Sequence, residues 1–260
     1  MSAKVIMFGI QKGGSSKTTT SGVIAHLLSQ NYKVLAVDMD SQGNLTEFLT
    51  QRDVNDFQHK TILEAMKDRD ATNYIYKVTD SLHLIAAEDL LATFSRWLYS
   101  DFQPKLANDR SLILAETLNS VRDQYDYIII DTPPALGDLT INSLAASDYV
   151  VAMFEASKFC YSALGRFMET CWHVRERVSP NMAVAGILRG LIDARRSDNK
   201  ALISEVEEEY GELCFDTILT RSAAAGRLAI TGFDNNPELP KAVSQYEEFL
   251  KELLERVEAK

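Results

Sequence analysis

Short apolar runs alternate with longer amphipathic stretches along most of the chain. Runs rich in Val, Ile and Leu are typical of strands that are buried on both faces of a sheet. Their order, with amphipathic stretches between them, predicts an α/β fold: a doubly wound, mostly parallel sheet flanked by helices. The runs are VIMFG at 5–9, VLAVD at 34–38, LHLIAA at 82–87, YIIID at 127–131, YVVAMF at 149–154 and VAGILRGLI at 184–192. Helices are predicted at 17–30, 110–124, 161–178, 198–210 and 241–257.

The carboxyl ends of the predicted strands carry the residues of greatest chemical interest. In doubly wound sheets, ligands bind beyond these ends. The loop after Gly9 and the acids Asp38 and Asp131, which end two of the runs, all fall at this edge. The sequence therefore predicts a ligand site there.

The loop QKGGSSKTTT at 11–20 has the composition of a phosphate-binding loop. Its glycines allow backbone N–H groups to close on phosphate oxygens, and a helix beginning near Lys17 directs its positive dipole end at them. Lys17 adds a full charge, and the Thr18 hydroxyl is a ligand suited to Mg²⁺. These residues predict a nucleoside triphosphate with magnesium. The alternative is a surface turn of Gly and Ser that joins a strand to a helix.

Composition limits the other possibilities. With 260 residues, 46% of them hydrophobic, and no linker rich in Pro, Gly or Ser, we expect one domain over 1–260. The formal net charge of -10 argues against a basic protein that coats nucleic acid, so any DNA contact requires a local patch. Three cysteines and four histidines show no metal-ligand spacing. Without a signal-peptide or membrane-spanning segment, we expect a cytoplasmic protein and no membrane partner.

The lysine that precedes the two glycines makes the loop more specific. Lys12 and the residues after it resemble the deviant Walker A loop, K-G-G-x-G-K-[ST], of the ParA/MinD family of ATPases. The resemblance implies an ATP-sandwich homodimer in which Lys12 reaches the partner's nucleotide. Ser16 stands where the family has glycine, and its Cβ predicts slower hydrolysis more than weaker ATP binding. The residues implied to contact the nucleotide are Lys12, Gly13, Gly14, Ser15, Ser16, Lys17, Thr18 and Thr19, with Lys12 and Lys17 also catalytic.

Two further motifs resemble those of the same family. DMDSQGNLT at 38–46 resembles the Walker A′ motif D-x-D-P-Q-x-N, which implies that Asp40 is catalytic, positioning or polarising the attacking water, and that it belongs with Thr18 and Asp131 to the metal site. Asp131 occupies the Walker B position, where it would hold Mg²⁺ directly or through water. The segment after it resembles the switch D-x-P-P-x-x-G, which implies that a change at the γ-phosphate is transmitted to Asp138. The alternatives are acids that cap turns and a plain turn between a strand and a helix.

The resemblance extends over nearly the whole chain. Segments 61–66, 82–90, 186–197 and 220–232 are also similar to family segments. Because the first strand begins by residue 5, we expect no helix-turn-helix domain before the loop. The C-terminal helix carries more acid than base, a poor match to an anionic lipid surface, so we expect it to pack on the core.

The resemblance implies that the ATP-bound dimer binds DNA without sequence preference. Arginines in the last third of the chain are the candidates, although the acidic run at 205–212 argues against a basic surface there. The family's adenine pocket draws on the same loops, so Asp193 and Arg221 are alternative nucleotide contacts. The DNA candidates are Arg189, Arg195, Arg196, Arg221 and Arg227.

The function that this resemblance implies is DNA partition. A partition ATPase would segregate a plasmid, mobile element or chromosome, and a ParB-like centromere-binding protein would stimulate its hydrolysis. One alternative is a nucleotide-gated regulatory module that hydrolyses ATP slowly. Another is an ATPase of the same type that positions a protein cargo.

Overall fold

A computed structural model describes residues 2–12, 16–192 and 197–258. Its centre is an eight-stranded sheet in the order β3-β4-β2-β5-β1-β6-β7-β8. All neighbouring strands are parallel except β3, which runs antiparallel to β4 at the edge. The predicted doubly wound sheet is therefore confirmed. The strands are β1 (Lys4–Gly9), β2 (Val34–Asp38), β3 (Tyr76–Lys77), β4 (Leu82–Ile85), β5 (Tyr127–Asp131), β6 (Tyr149–Glu155), β7 (Ala183–Ile192) and β8 (Cys214–Thr220).

Helices cover both faces of the sheet, which is why its central strands are apolar up to the acids that end β2 and β5. Every residue of β2 and of β5 is buried. On α1, the residues Val23, Ile24 and Leu27 are buried as well. The helices are α1 (Lys17–Leu28), α2 (Asn44–Thr50), α3 (Ile62–Asp68), α4 (Phe94–Ser100), α5 (Ile113–Asn119), α6 (Asp138–Ala146), α7 (Lys158–Arg177), α8 (Ser197–Tyr210), α9 (Ala223–Thr231) and α10 (Leu239–Glu258).

The short helices and the edge strands were not predicted from the sequence pattern. Helices α2, α3, α4 and α9 have only seven to nine residues, too few for a full amphipathic period to stand out. A local signal existed for α3, since Thr61 and Glu64 form a capping box at its start. The single helix predicted at 110–124 is instead α5 between two short 3₁₀ turns, at Asp109–Ser111 and Arg122–Gln124.

The C-terminal helix packs on the core, as its acidic polar face predicted. Phe249 and Leu253 are fully buried, and Leu250 and Leu254 pack partly against the same core. The ring of Phe249 makes edge contacts with Phe8 of β1 and with Phe215 of β8. Among the described residues, no helix combines the length and apolar character that crossing a membrane requires.

Candidate functional site

A cavity of about 710 Å³ lies at the carboxyl edge of the sheet, where β1, β2 and β5 end. We call it the Asp40 cavity. Four parts of the chain form its wall: the start of α1, the segment from Asp40 into α2, the turn after β5, and α9. Its lining residues are Ser16, Lys17, Thr18, Thr19, Asp40, Ser41, Gln42, Asn44, Glu47, Phe48, Pro133, Pro134, Ala135 and Ala229.

Asp131 binds the first turns of α1 to the end of β5. The carboxylate is fully buried and accepts hydrogen bonds from Thr18 Oγ1 at 2.7 Å and from Ser21 Oγ at 3.0 Å. Burial raises the pKa of Asp131 to about 6, and its contacts with Thr18 and Lys17 act in the opposite direction. The Thr18 hydroxyl, which is predicted to bind magnesium, is thus held in place by Asp131, which is predicted to belong to the same metal site.

Asp38 lies beside Asp131 because the two residues are register partners on β2 and β5. It accepts hydrogen bonds from the backbone N–H of Asp40 at 3.1 Å and from the N–H and hydroxyl of Thr46 at 2.9 and 2.8 Å. Burial and the charge of Asp131 raise the pKa of Asp38 to about 7. Asp38 therefore holds the turn that presents Asp40, although Asp38 itself does not line the cavity.

Lys17 is 6% exposed, unusually buried for a lysine. Its Nζ donates to the backbone carbonyl of Lys12 at 3.1 Å, which folds the side chain back over its own loop. Burial lowers the pKa of Lys17, while Asp131 and Asp40 oppose that shift. A cation held in this way is placed for the oxygens of an anion in the Asp40 cavity.

Lys12 is held by residues at the end of β6 and the start of α7. Its Nζ donates to Glu155 Oε2 at 2.9 Å and to Ser157 Oγ at 3.1 Å. The other oxygen of Glu155 accepts from Arg221 at 3.4 Å. Glu155 thus pairs with two of the residues that the sequence analysis assigned to the nucleotide.

Ser16 adopts a left-handed backbone conformation, with φ 58° and ψ 18°. This conformation suits glycine and is strained for a residue with a Cβ. A restricted backbone is what the replacement of a family glycine by Ser16 predicts. Ser16 also lies immediately before α1, at the mouth of the Asp40 cavity.

A second cavity, of about 460 Å³, meets the first at Ser16 and Thr19. We call it the Tyr246 cavity. Beyond the two shared residues, it is walled by the loop between β8 and α9, by the first turns of α9, and by Tyr246 of α10. Its lining residues are Ser16, Thr19, Thr220, Arg221, Ser222, Ala223, Ala225, Gly226 and Tyr246.

The turn after β5 connects the Asp40 cavity to α6. Pro133, Pro134 and Ala135 line the cavity, and the Thr140 hydroxyl of α6 donates to the carbonyl of Ala135 at 2.6 Å. Asp138 Oδ1 then accepts a hydrogen bond from Tyr99 Oη of α4 at 3.0 Å. A displacement of the prolines would therefore reach two neighbouring helices.

Several predicted residues fall outside the described part of the chain. These are Gly13, Gly14 and Ser15 of the loop, and Asp193, Arg195 and Arg196 after β7. The described residues Lys12, Ser16, Lys17, Thr18, Thr19, Asp40, Asp131 and Arg221 all lie at or beside the two cavities.

The position of Arg189 does not match its predicted contact with DNA. The residue is 3% exposed, and its guanidinium donates to Glu207 and to the backbone carbonyl of Phe215. Because β7 is an interior strand between β6 and β8, this side chain serves the core. Arg221 and Arg227 are exposed, and Arg227 pairs with Glu238 at 2.8 Å.

Three residues of the site were not found from the sequence. Ser21 lies about one helical turn after Thr18, so both hydroxyls reach Asp131. The sequence contains this spacing and could have indicated Ser21. Glu155 ends an apolar run at the same sheet edge as Asp38 and Asp131, which is a usable signal. Tyr246 had no such signal, because its place depends on how α10 packs against the start of α1.

The donors at the cavity fit a magnesium ion that is also bound by phosphate. Within the described ranges, no group of three His, Cys, Asp or Glu side chains could hold a metal by itself. Mg²⁺ is usually bound by one or two protein oxygens, by substrate phosphates and by water. Thr18 and the carboxylates of Asp40 and Asp131 supply such oxygen donors around the Asp40 cavity.

Known sequences match the chain over most of its length. A family model described as an AAA domain matches residues 3–184. The sporulation initiation inhibitor protein Soj of Bacillus subtilis is 32% identical over 223 residues, covering 84% of this chain and 85% of Soj. The chromosome partitioning protein ParA of Myxococcus xanthus is 30% identical over 223 residues, covering 84% of this chain and 76% of that protein.

Solved structures match the fold over nearly the whole chain. A McdA variant of Cyanothece in complex with ATP has a TM-score of 0.81 and 26% identity, covering 97% of this chain and 96% of that chain. A cobyrinic acid a,c-diamide synthase of Mycobacterium smegmatis, solved with an ATP analogue and magnesium, has a TM-score of 0.81 and 27% identity, covering 99% and 96%. Both similar structures thus contain ATP or an analogue of it.

Proposed function

Because the chain belongs to the ParA/Soj family of partition ATPases, we propose that it binds ATP with Mg²⁺ in the Asp40 cavity and hydrolyses it during a partition cycle. One observation carries the proposal. Lys17 and Thr18 line a cavity that is large enough for a triphosphate, and the buried carboxylate of Asp131 behind them accepts a hydrogen bond from Thr18. A plain surface turn would not require a buried lysine beside a buried acid.

Binding of the triphosphate would use charge and backbone donors together. The α1 N-terminus and Lys17 would bind the phosphate oxygens, and Asp131 would keep the Thr18 hydroxyl directed at the metal. Bound magnesium would neutralise charge that develops on the phosphates. Burial lowers the pKa of Lys17 in the free protein. The negative charge of the bound phosphates would stabilise the charged form of this lysine.

Hydrolysis would depend on Asp40. This residue lines the cavity together with Lys17, and Asp38 holds its turn through the Asp40 backbone N–H. We assign Asp40 to positioning the attacking water, a role that requires a carboxylate close to the terminal phosphate. Asp38 is then a positioning residue that acts through the Asp40 turn.

Dimer formation would use Lys12. Its side chain is bound to Glu155 and Ser157 of its own protomer, so reaching a partner's nucleotide requires those contacts to break. The phosphates of a second active site would replace the carboxylate of Glu155. We therefore propose a homodimer that forms only when ATP is bound.

The partition cycle would add DNA and a partner protein. Arg221 and Arg227 are exposed, and with Arg195 and Arg196 they remain our candidates for contact with DNA phosphates. A ParB-like protein would stimulate hydrolysis, open the dimer and release DNA. Arg189 is left out of this surface because it is buried.

A test of the proposal measures mass in solution by light scattering, with and without Mg-ATP. We expect the wild-type chain to become dimeric with Mg-ATP, and the Lys12→Ala variant to bind ATP and remain monomeric. The Lys4→Ala variant, which removes a lysine on the opposite edge of the sheet, serves as the control. A wild-type chain that stays monomeric when saturated with Mg-ATP would contradict the proposal.

The strained backbone of Ser16 favours a second candidate function, a regulatory module that binds ATP and hydrolyses it slowly. Single-turnover hydrolysis distinguishes the two candidates. A partition ATPase should be accelerated at least tenfold by its partner and DNA together. A regulatory module should retain ATP at the same slow rate under both conditions.

A further inference from the structure

The Tyr246 cavity continues from the Asp40 cavity and differs from it in chemistry. The two cavities share Ser16 and Thr19, so a ligand that fills the first extends naturally into the second. The carboxylates and Lys17 belong to the Asp40 cavity. Small side chains and hydroxyls line the Tyr246 cavity, and the exposed Arg221 is its charged member. Such a surface suits the uncharged part of a nucleotide.

Most hydroxyls near the loop between β8 and α9 already serve the fold. Thr220 Oγ1 donates to Gln245 at 3.3 Å, and Ser222 Oγ accepts from the backbone N–H of Ala225 as the N-cap of α9. Tyr246 differs, because in the described part of the chain its hydroxyl makes no hydrogen bond of acceptable geometry. The side chain is nonetheless 4% exposed. Tyr246 lines the Tyr246 cavity, and its hydroxyl oxygen is not among the enclosed polar atoms, so a ligand in the cavity can supply its partner.

Thr20 is the polar neighbour of Tyr246, but within the described residues no hydrogen bond of ordinary geometry joins their two hydroxyls. Its hydroxyl contributes to lowering the pKa of Tyr246, yet burial dominates and raises that pKa to about 12. Thr20 Oγ1 is itself buried and has no hydrogen-bond partner within the described residues. At neutral pH the phenol is therefore a protonated donor.

We propose that Tyr246 of α10 is a positioning residue for the nucleotide, closing the nucleoside end of the site and donating a hydrogen bond to the nucleoside. This inference rests on the proposed function, which supplies the nucleotide. Tyr246 itself belongs to none of the motifs that the sequence predicts for the nucleotide. It also gives the C-terminal helix a direct role in binding.

Gly226 offers an independent way to probe the same cavity. It lines the cavity on α9, and a Cβ added there would meet nothing within 4 Å. Its φ is not in the left-handed region, so a side chain at this position is not strained by the backbone. A Leu at 226 should therefore be accepted by the fold while it occupies space in the cavity.

Calorimetric titration of the full chain tests the proposal with two magnesium-loaded ligands, a non-hydrolysable ATP analogue and inorganic triphosphate. The Tyr246→Phe variant should bind the analogue about 5- to 10-fold more weakly than wild type, the effect of one hydrogen bond. Its affinity for inorganic triphosphate should stay within about twofold of wild type, since that ligand has no nucleoside. Tyr127→Phe is the matched control, because Tyr127 is also 4% exposed and its hydroxyl bonds to Glu258 away from the site.

Gly226→Leu provides a second reading that does not depend on the folding of the Tyr246 variant. The variant should bind the ATP analogue more weakly and bind inorganic triphosphate with unchanged affinity. Gly165→Leu on α7, where an added Cβ also meets nothing within 4 Å, should change neither affinity. Unchanged analogue affinity in Tyr246→Phe, or an equal loss for both ligands, would overturn the inference. Failure of the wild-type chain to bind either ligand would instead count against the proposed function.

Discussion

Lys12 Nζ lies 2.9 Å from Glu155 Oε2 within the same protomer. In the proposed dimer this lysine must bind phosphate on the partner, so Glu155 competes with the phosphate for one cation. The pair is largely shielded from solvent, which makes the competition stronger than for an exposed ion pair. Glu155 would then set the ATP concentration at which the dimer forms.

Removing the charge of Glu155 should favour the dimer. We expect Glu155→Gln to lower the Mg-ATP concentration needed for half-maximal dimer formation about fivefold, which corresponds to about 1 kcal/mol. Light scattering during an ATP titration measures this concentration. Glu116→Gln, which breaks the remote pair with Arg69, is the control and should leave it unchanged. A higher ATP requirement in Glu155→Gln would contradict the competition.

Replacing Ser16 by glycine should relieve the strain before α1. The left-handed backbone costs a residue with a Cβ about 1 kcal/mol relative to glycine. We expect Ser16→Gly to hydrolyse ATP several-fold faster in single turnover, with ATP affinity within about twofold of wild type. His59→Gly, at an exposed position with φ 64°, should share the gain in stability without the gain in rate. Equal rates in Ser16→Gly and wild type would show that the strain does not limit hydrolysis.

The two hydroxyls on Asp131 should differ in function. Thr18 lines the Asp40 cavity, whereas Ser21 is buried and also donates to the Lys17 carbonyl at 2.9 Å. We expect Thr18→Val to reduce the magnesium-dependent part of ATP affinity at least tenfold. Ser21→Ala should keep that dependence and lower only the free energy of unfolding, by about 1 kcal/mol. Titrations with and without magnesium separate these effects.

The burial of Arg189 predicts a stability role. We expect Arg189→Met to lower the free energy of unfolding by roughly 1–2 kcal/mol, because the Phe215 carbonyl loses its donor. DNA affinity of the folded variant should equal that of wild type. Arg227→Ala should instead weaken DNA binding and reduce the steepness of its salt dependence by about one charge. If the DNA binding of Arg189→Met depended less steeply on salt than that of wild type, Arg189 would count as a DNA contact after all.

His26 should make the fold sensitive to acid. Its ring stacks on Phe233 at 4.1 Å, and burial lowers the pKa of His26 although Asp234 opposes the shift. A lowered pKa in the folded state means that this stability is present above the unfolded value of 6.5 and is lost as pH falls through the folded pKa. We expect His26→Phe to show a smaller loss of unfolding free energy between pH 7 and pH 5, measured by denaturant titration. His173→Phe, on the exposed face of α7, should behave as wild type.

The sequence predicted the site where motif and strand end coincide. Asp38 and Asp131 end buried runs, so the pattern already places them at one edge of the sheet, and Lys17 follows the loop that leaves the same edge after β1. Short helices such as α9 were missed because seven to nine residues do not define an amphipathic face. The predicted contact of Arg189 with DNA was wrong because a single arginine in an apolar run does not reveal its buried partners. Those partners are Glu207 and the backbone carbonyl of Phe215. Tyr246 required tertiary packing that no local pattern contains.

The length of α10 has a mechanical consequence. Tyr246 faces the Tyr246 cavity, and eleven residues later the carbonyl of Val257 accepts hydrogen bonds from Lys4 and Tyr149 at the amino edge of the sheet. At 1.5 Å per residue, these two anchors are about 16 Å apart along one continuous rod. A tilt of that rod on nucleotide loading would be carried from the carboxyl edge of the sheet to its amino edge, so a spectroscopic label near Glu258 should report occupancy from the edge opposite the cavities.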